Sequence, residues 1–393
     1  MHLRRLTAYT IRVPLKRPFR HASAERTESE NIVIACELAD GTVGWGEGVP
    51  RSYVTGETPE GCLAQLAASR LGDQLTGDCA NWSEVVALCE RFELAEMADN
   101  PRGCYGNALR CAVELSVLDA FGRLFGEPIS RIVEHVPIAR VIRQQSGQVR
   151  YSTTIDAESN DRLWRSALKM RLYGFRQCKV KVGVAGQSDA DRLRIIRRWL
   201  GSRVDIRVDA NEAWPVERLT ERIEAIRPFN VSCIEQPCPH EQLAELAQVR
   251  PKLGMPIMLD ESLTSCADAK RAIALGACDL FNIRLSKCGG FLRSLELAAI
   301  AQQNGLGYQL GCHPGETGIL SAAGRHWATS VRGIRHWEGS YDRHVLSENV
   351  TREDVTFGYG GRAPALGGPG LGVTVDHRSI ERLSTRSIEI HIG

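Results

Sequence analysis

The chain has 393 residues, with 49 lysines and arginines against 47 aspartates and glutamates, for a formal charge of +2. That near balance, with no basic block, gives no electrostatic case for nucleic acid or an anionic membrane, and no apolar run reaches the roughly 20 residues of a membrane helix. The thirteen cysteines are scattered without C-x-x-C pairs. In a chain too long for a disulfide scaffold they read as buried free thiols in a reducing cytoplasm, with no zinc constellation. The first residues run straight into an alternating pattern and lack the apolar core of a signal peptide.

Residues 6–14 alternate like a strand, and 31–38 and 42–47 flank Asp40-Gly41 as a hairpin. Helical periodicity follows over 59–71, 83–98 and 108–125, the last closed by Gly126. This predicts an α+β unit over residues 1–130. Two polar, arginine-bearing stretches, 16–30 and 50–60, read as loops. From residue 151 short apolar strands alternate with amphipathic helices, the signature of βαβ units. Strands are predicted at 150–155, 177–182, 205–209, 232–235, 256–260, 280–285, 307–311 and 333–337. Helices are predicted at 189–200, 216–226, 242–250, 267–275, 292–304 and 318–331. The fold class is therefore α/β, a (β/α)8 TIM-type barrel over residues 145–345. After Trp337 comes no amphipathic helix but a Gly/Pro-rich tail, 358–372, and an alternating stretch, 386–392. Residues 346–393 are expected to leave the barrel and return to the N-terminal unit.

In Gln177-Cys178-Lys179-Val180-Lys181-Val182-Gly183, strand alternation puts Lys179 and Lys181 on one face. Taken alone, such a pair reads as edge-strand protection. The polar residues that end successive strands change that reading: Lys181, Asp209, Glu235, Asp260, Lys287, Cys312-His313 and Glu338 recur every 25 to 28 residues. In a (β/α)8 barrel the strand C-termini open on one face, so this spacing gathers all of them around one mouth. Any one of these carboxylates alone reads as a loop or cap charge. Three from neighbouring strands, in Val-Asp209-Ala-Asn211, Ile-Glu235-Gln-Pro and Leu-Asp260-Glu-Ser, form a hard oxygen set suited to Mg2+. Lys287 ends the sixth strand, half a circle from Lys181 on the second. A substrate between them would meet one amine or ammonium on each face, the arrangement for removing a proton from one side of a carbon and returning one to the other. The metal would stabilise the enediolate formed when a carboxylate loses its α-proton. Lys179 would hold the substrate carboxylate and lower the pKa of Lys181.

The Lys-x-Lys of strand two, the Asp, Glu and Asp ends of strands three to five, and Lys287-Cys-Gly-Gly resemble the enolase superfamily, in particular its muconate lactonizing enzyme subgroup. Lys16-Arg17-Pro18-Phe19, Gly44-Trp45-Gly46-Glu47 and residues 112–120 resemble its N-terminal capping domain, so the likeness covers nearly the whole chain. The resemblance implies a capping domain over a modified (β/α)7β barrel and one Mg2+ per site. It also implies proton abstraction α to a carboxylate. It assigns Lys181 and Lys287 as the acid/base pair, Asp209, Glu235 and Asp260 as metal ligands, and Lys179 as partner of the base. The expected reaction is racemisation or epimerisation of a small-molecule carboxylate such as an amino-acid derivative, with cycloisomerisation or syn β-elimination as alternatives. A homo-oligomer is expected, with no nucleic-acid or membrane partner. Dipeptide epimerases of this type usually carry Asp-x-Asp at strand eight, where this chain has Glu338-Gly-Ser. Specificity is expected from Arg17, Arg20, His21, Arg51 and Tyr53 in the capping loops. At the mouth it is expected from Asn211, Cys312, His313, Glu316 and Glu338. Two or more loop arginines could bind a second anionic group, as in a diacid or an acylated amino acid. For His313, a base, a substrate contact and a structural role are all compatible with the sequence. Two rival readings are a catalytically idle binding protein on the same scaffold and a metal hydrolase, although no histidine lies at the ends of strands three to five.

Overall fold

The computed structural model describes residues 1–21, 24–97, 100, 102–156 and 159–393, with backbone alone at 19–21, 24–25 and 160. Counts and absences below refer to these residues. An antiparallel sheet is built from β1 (Leu3–His21), β2 (Ala24–Leu38) and β3 (Val43–Gly48). Three helices follow it, α1 (Pro59–Ala68), the short α2 (Leu71–Gln74) and α3 (Trp82–Arg91), and then the long α4 (Asn107–Phe125). α4 is buried on nearly every side, because β3 alternates glycine on the face it presents. A Cβ at Gly44, Gly46 or Gly48 would stand 2.0 Å from backbone atoms of Ala120, Ala112 and Ala108 respectively. Three glycines thus let the helix backbone lie directly on the strand.

After β4 (Gln148–Arg150), the parallel strands are β5 (Thr153–Ile155), β6 (Gln177–Lys181), β7 (Asp205–Asp209) and β8 (Val231–Glu235). They continue with β9 (Ile257–Leu259), β10 (Leu280–Ile283), β11 (Gly307–Leu310) and β12 (Ile334–Trp337). They are hydrogen-bonded in sequence order as one eight-stranded sheet. The Ser152 N–H donates to the Trp337 carbonyl at 2.8 Å, so the two ends of the curled sheet meet. The connecting helices are α5 (Asn160–Leu172), α6 (Asp189–Leu200), α7 (Leu219–Ile226), α8 (Leu243–Leu253), α9 (Cys266–Leu275), α10 (Phe291–Gln303) and α11 (Gly318–Ser330). Beyond them lie α12 (Asp342–Val345), β13 (Arg362–Pro364), α13 (His377–Leu383) and β14 (Ser384–His391). As the alternating 386–392 stretch predicts, β14 pairs antiparallel with β1, from Arg5–His391 to Ile11–Ser384. All thirteen cysteines are free thiols. No helix is long and apolar enough to cross a membrane.

The structure departs from the sequence reading in four places. Residues 16–30, read as a loop, continue β1 and β2 as a hairpin arm whose pairs run out to His21–Ala24. Much of its surface stays exposed, so it lacks the apolar alternation that marks a strand over a core. The stretch 150–155 is two strands: β4 turns away to pair with β13, and β5 alone enters the barrel. The sequence pattern predicts no helix where α5 lies, since Arg162, Arg165, Lys169 and Arg171 crowd its exposed side and mask its period. The helix expected over 83–98 ends at Arg91, and residues 92–97 are irregular.

Candidate active site

The strand ends bring the predicted residues to one mouth. β6 delivers Lys179 and Lys181 on the same face, and β7 and β8 end on Asp209 and Glu235. Asp260 follows β9 directly, and Lys287 lies in the turn after β10. Left-handed backbone at Asn211 (φ 41), Gln236 (φ 34) and Ser340 (φ 53) turns the chain sharply just beyond three of the strands. Non-glycine residues adopt this conformation only at a cost, which is commonest at functional sites.

The carboxylates and cations interlock. Lys181 Nζ donates to Asp209 Oδ2 at 2.7 Å and to Asn211 Oδ1. Lys179 Nζ lies 2.8 Å from Glu338 Oε1, 3.3 Å from Asp209 Oδ2 and 3.5 Å from Glu235 Oε1. Lys287 Nζ donates to Asp260 Oδ1 at 2.8 Å, to the Asp260 carbonyl at 2.6 Å and to the Asn282 carbonyl at 2.9 Å. Burial pushes the Asp209 carboxyl up, but Lys181 and Lys179 outweigh it and hold it well below the usual range. Glu235 is raised to about 7, by burial first and then by Asp209. Burial works against the Lys179 ammonium, yet Glu235, Glu338 and Asp209 together hold it well above the lysine range.

Two basic residues in this network are not among the candidates that strand-end spacing supplies. Arg207, fully buried on β7, donates to Glu338, and Arg284 donates to Asp260 while lying 3.7 Å from Glu235. The signal was present, because Arg207 stands two residues before Asp209 and so shares its face. Asn282 holds Glu235 from β10, its Nδ2 donating to Oε1 at 2.8 Å.

Asp209, Glu235 and Asp260 are buried, come from adjacent strands and offer only oxygen, which fits a hard divalent cation. Burial first, and then the like charge of Asp209, keep Glu235 raised there. Their oxygens are spread, because Lys179 bridges Asp209 to Glu235 and Arg284 bridges Glu235 to Asp260. The group whose ligand atoms all fall within 4.8 Å of one another is a different one, Glu212, His240 and Glu241, partly exposed beside the mouth.

A cavity of about 490 Å³ opens over these residues. Its lining includes Lys179, Lys181, Asn211, Cys312, His313, Glu316 and Glu338 on the barrel side, and Arg17 and Tyr53 on the capping side. Lys287, Asp209, Glu235 and Asp260 are fully buried and do not line it. Met170, Tyr173, Phe175 and Phe357 give it an apolar wall. Arg51, a candidate substrate contact, is instead a buried staple: its guanidinium donates to the carbonyls of Glu30, Pro50 and Pro314 and to Ser29 Oγ. The side chains of Arg20 and His21 lie outside the described residues.

A profile of the enolase C-terminal domain-like family matches residues 162–379. The chain belongs to this family. It is 31% identical over 369 residues to L-Lys-D/L-Arg epimerase of Methylococcus capsulatus, covering 93% of this chain and 96% of that protein. It is 28% identical over 341 residues to N-succinyl-L-Arg/Lys racemase of Bacillus cereus, covering 85% and 86% respectively. The crystal structure of a dipeptide epimerase from Cytophaga hutchinsonii, complexed with Mg and the dipeptide D-Ala-L-Val, superposes with a TM-score of 0.83 at 24% identity, over all of both chains. This enolase-superfamily enzyme therefore has the barrel and N-terminal cap that its strand-end residues resemble.

Proposed function

We propose that the protein is a Mg2+-dependent racemase or epimerase of an amino-acid derivative bearing a free carboxylate. The observation that carries this reading is the placement of two lysines beyond the second and sixth of eight strands, Lys181 ending β6 and Lys287 in the turn after β10, each hydrogen-bonded to a different acid of the carboxylate set: Lys181 to Asp209 and Lys287 to Asp260. A cycloisomerase or a β-lyase needs one such group to move a proton, whereas inversion at carbon needs two. Asp209, Glu235 and Asp260 would hold Mg2+, which supplies positive charge opposite the carboxylate whose electron density grows as the α-proton leaves.

In one direction Lys181, as the free amine, accepts the α-proton, and Lys287, as the ammonium, donates a proton to the opposite face of the same carbon. The reverse direction exchanges the two roles, so the carbon inverts with no net change in protons. Lys179, held between Glu338, Asp209 and Glu235, keeps its charge and faces the cavity beside Lys181, where it can orient the substrate carboxylate. Incubating the enzyme with Mg2+ and a panel of N-substituted amino acids in D2O tests the reading. α-Deuterium with loss of optical activity is the expected result. A new ring or alkene in its place, or no exchange with any member of the panel, would overturn it.

A further inference from the structure

Among the described residues four large apolar side chains are exposed, Leu172, Trp199, Leu275 and Tyr359. Three of them fall on one face, the outer side of α5 and α6. Leu172 ends α5 with 69% of its surface exposed, and its carbonyl accepts the Tyr359 hydroxyl at 3.2 Å. Trp199 of α6 meets Trp164 of α5 with ring centroids 5.3 Å apart. Apolar side chains gathered on an otherwise polar surface mark an interaction site.

Arginines surround them. Arg165 lies over Trp164, 5.3 Å from the ring centroid, and Arg198 precedes Trp199. Arg171 lies against Gly201, where a Cβ would stand 3.5 Å from its Nη1. All three arginines are exposed, and none has an ion pair among the described residues. Little acid offsets them: Asp161 is the single acid of α5, and on α6 Asp189 is buried while Asp191 is taken by Arg194. The sequence scatters these charges over two helices, and the packing of α5 on α6 gathers them into one positive field.

A complementary surface is negative and carries apolar groups. A second copy presenting the same face would bring arginine against arginine. Nucleic-acid bases find no free platform, because the two tryptophan rings engage each other and Arg165 covers Trp164. The one lysine of α5, Lys169, turns to the cavity, which leaves tryptophan, tyrosine and arginine, the residues enriched where proteins meet.

We propose that the outer face of α5 and α6 docks an acidic segment of another protein. Its carboxylates meet Arg165, Arg171 and Arg198, and an apolar side chain between them covers Leu172 and Trp199. None of these residues lines the cavity, so the inference stands apart from the racemase reading.

Fluorescence anisotropy tests this with a fluorescein-labelled peptide repeating Glu-Leu-Glu-Glu and its neutral twin repeating Gln-Leu-Gln-Gln. The full chain is expected to bind the acidic peptide at least about tenfold more tightly than the twin, and less tightly as salt is raised. Arg165→Glu combined with Arg198→Glu is expected to weaken binding by at least about tenfold. Leu172→Ser combined with Trp199→Ser is expected to weaken it about tenfold with the salt dependence unchanged. Lys270→Glu combined with Arg271→Glu makes the same change of charge on α9 and is expected to leave binding unaltered. Equal loss in the two charge-reversed proteins would overturn the proposal, as would equal binding of the two peptides or none. Tighter binding of phosphatidylglycerol vesicles or poly(U) RNA through Arg165 and Arg198 would overturn it in favour of a membrane or nucleic-acid partner. The peptide comparison uses the unaltered protein, so a misfolded variant leaves the proposal open to refutation.

Discussion

Asn107, the first residue of α4, donates its side-chain amide to the carbonyl of Lys287 at 2.7 Å. The same amide donates to the carbonyl of Thr264 at 2.9 Å. A residue of the capping helix therefore fixes the turn that presents one of the two proposed acid/base lysines. Asn107→Ala is expected to lower kcat about tenfold through misplacement of Lys287, with a smaller change in KM, because small displacements of a reacting group carry large rate penalties. Steady-state kinetics on any substrate that shows α-exchange checks this, and an unchanged kcat would refute the positioning role.

Removing either lysine should abolish inversion without unfolding the protein. Lys181→Ala and Lys287→Ala are each expected to reduce turnover by about 10²–10⁴, the usual contribution of a general acid or base. Circular dichroism should show the native fold in both. Full activity in either variant would defeat the two-lysine account.

Asn282 gives a readout of the metal site separate from catalysis. Its amide holds Glu235 Oε1 at 2.8 Å, so Asn282→Leu is expected to weaken Mg2+ affinity by about 10–100-fold, as loss of a ligand's hydrogen-bond partner does elsewhere. Direct Mg2+ titration by calorimetry measures it. Chelation should abolish exchange in the wild type, and added Mg2+ should restore it.

Three buried glutamates should each lose stabilising power as pH rises through the neutral range. Glu57 accepts the N–H groups of Ala108 and Leu109 at the start of α4, yet burial raises its carboxyl from 4.5 to about 7. Glu47 and Glu114, which cap α11 and α10 in the same way, are also raised to about 7. Between these values the folded protein keeps a proton that the unfolded chain has released, so the contribution of each of these three carboxyls is full below about pH 4.5 and declines as pH rises toward 7. Between pH 5 and pH 7.5 the urea midpoint of Glu57→Gln, which cannot ionise, is expected to gain on that of the wild type. Parallel slopes in the two proteins would contradict this.

Gly46 tests the fit of α4 on β3. A Cβ there would lie 2.0 Å from the Ala112 carbonyl oxygen, a backbone atom that cannot swing aside. Gly46→Ala is expected to cost about 3 kcal/mol, at the upper end for overpacking, read from chemical denaturation. A near-neutral result would show that the helix can lift away.

Much of this site was legible because a barrel imposes a period on its strand ends, and charges at that period stand out against apolar strands. Lys181, Asp209, Glu235, Asp260 and Lys287 follow from spacing alone. Arg207 and Arg284 stand before the polar residue that closes each strand unit, so the spacing does not single them out, although alternation places both on the inward face. Arg51 is a candidate contact in the sequence because loop arginines are common binders, whereas tertiary structure fills its guanidinium with three backbone carbonyls and the Ser29 hydroxyl. The hairpin arm of β1 and β2 has no core beneath its outer half, so nothing there enforces an apolar rhythm.

The pairing of β14 with β1 joins residues such as Arg5 and His391 that stand at opposite ends of the described chain. During synthesis β1 must wait, with its outer hydrogen-bonding edge bare, until the whole barrel has emerged. Bare strand edges recruit other chains, so the interval before β14 arrives is when nascent copies of this protein are most prone to associate wrongly. A long ribosomal pause before residue 384 should therefore lower the soluble yield more than an equal pause between two barrel helices.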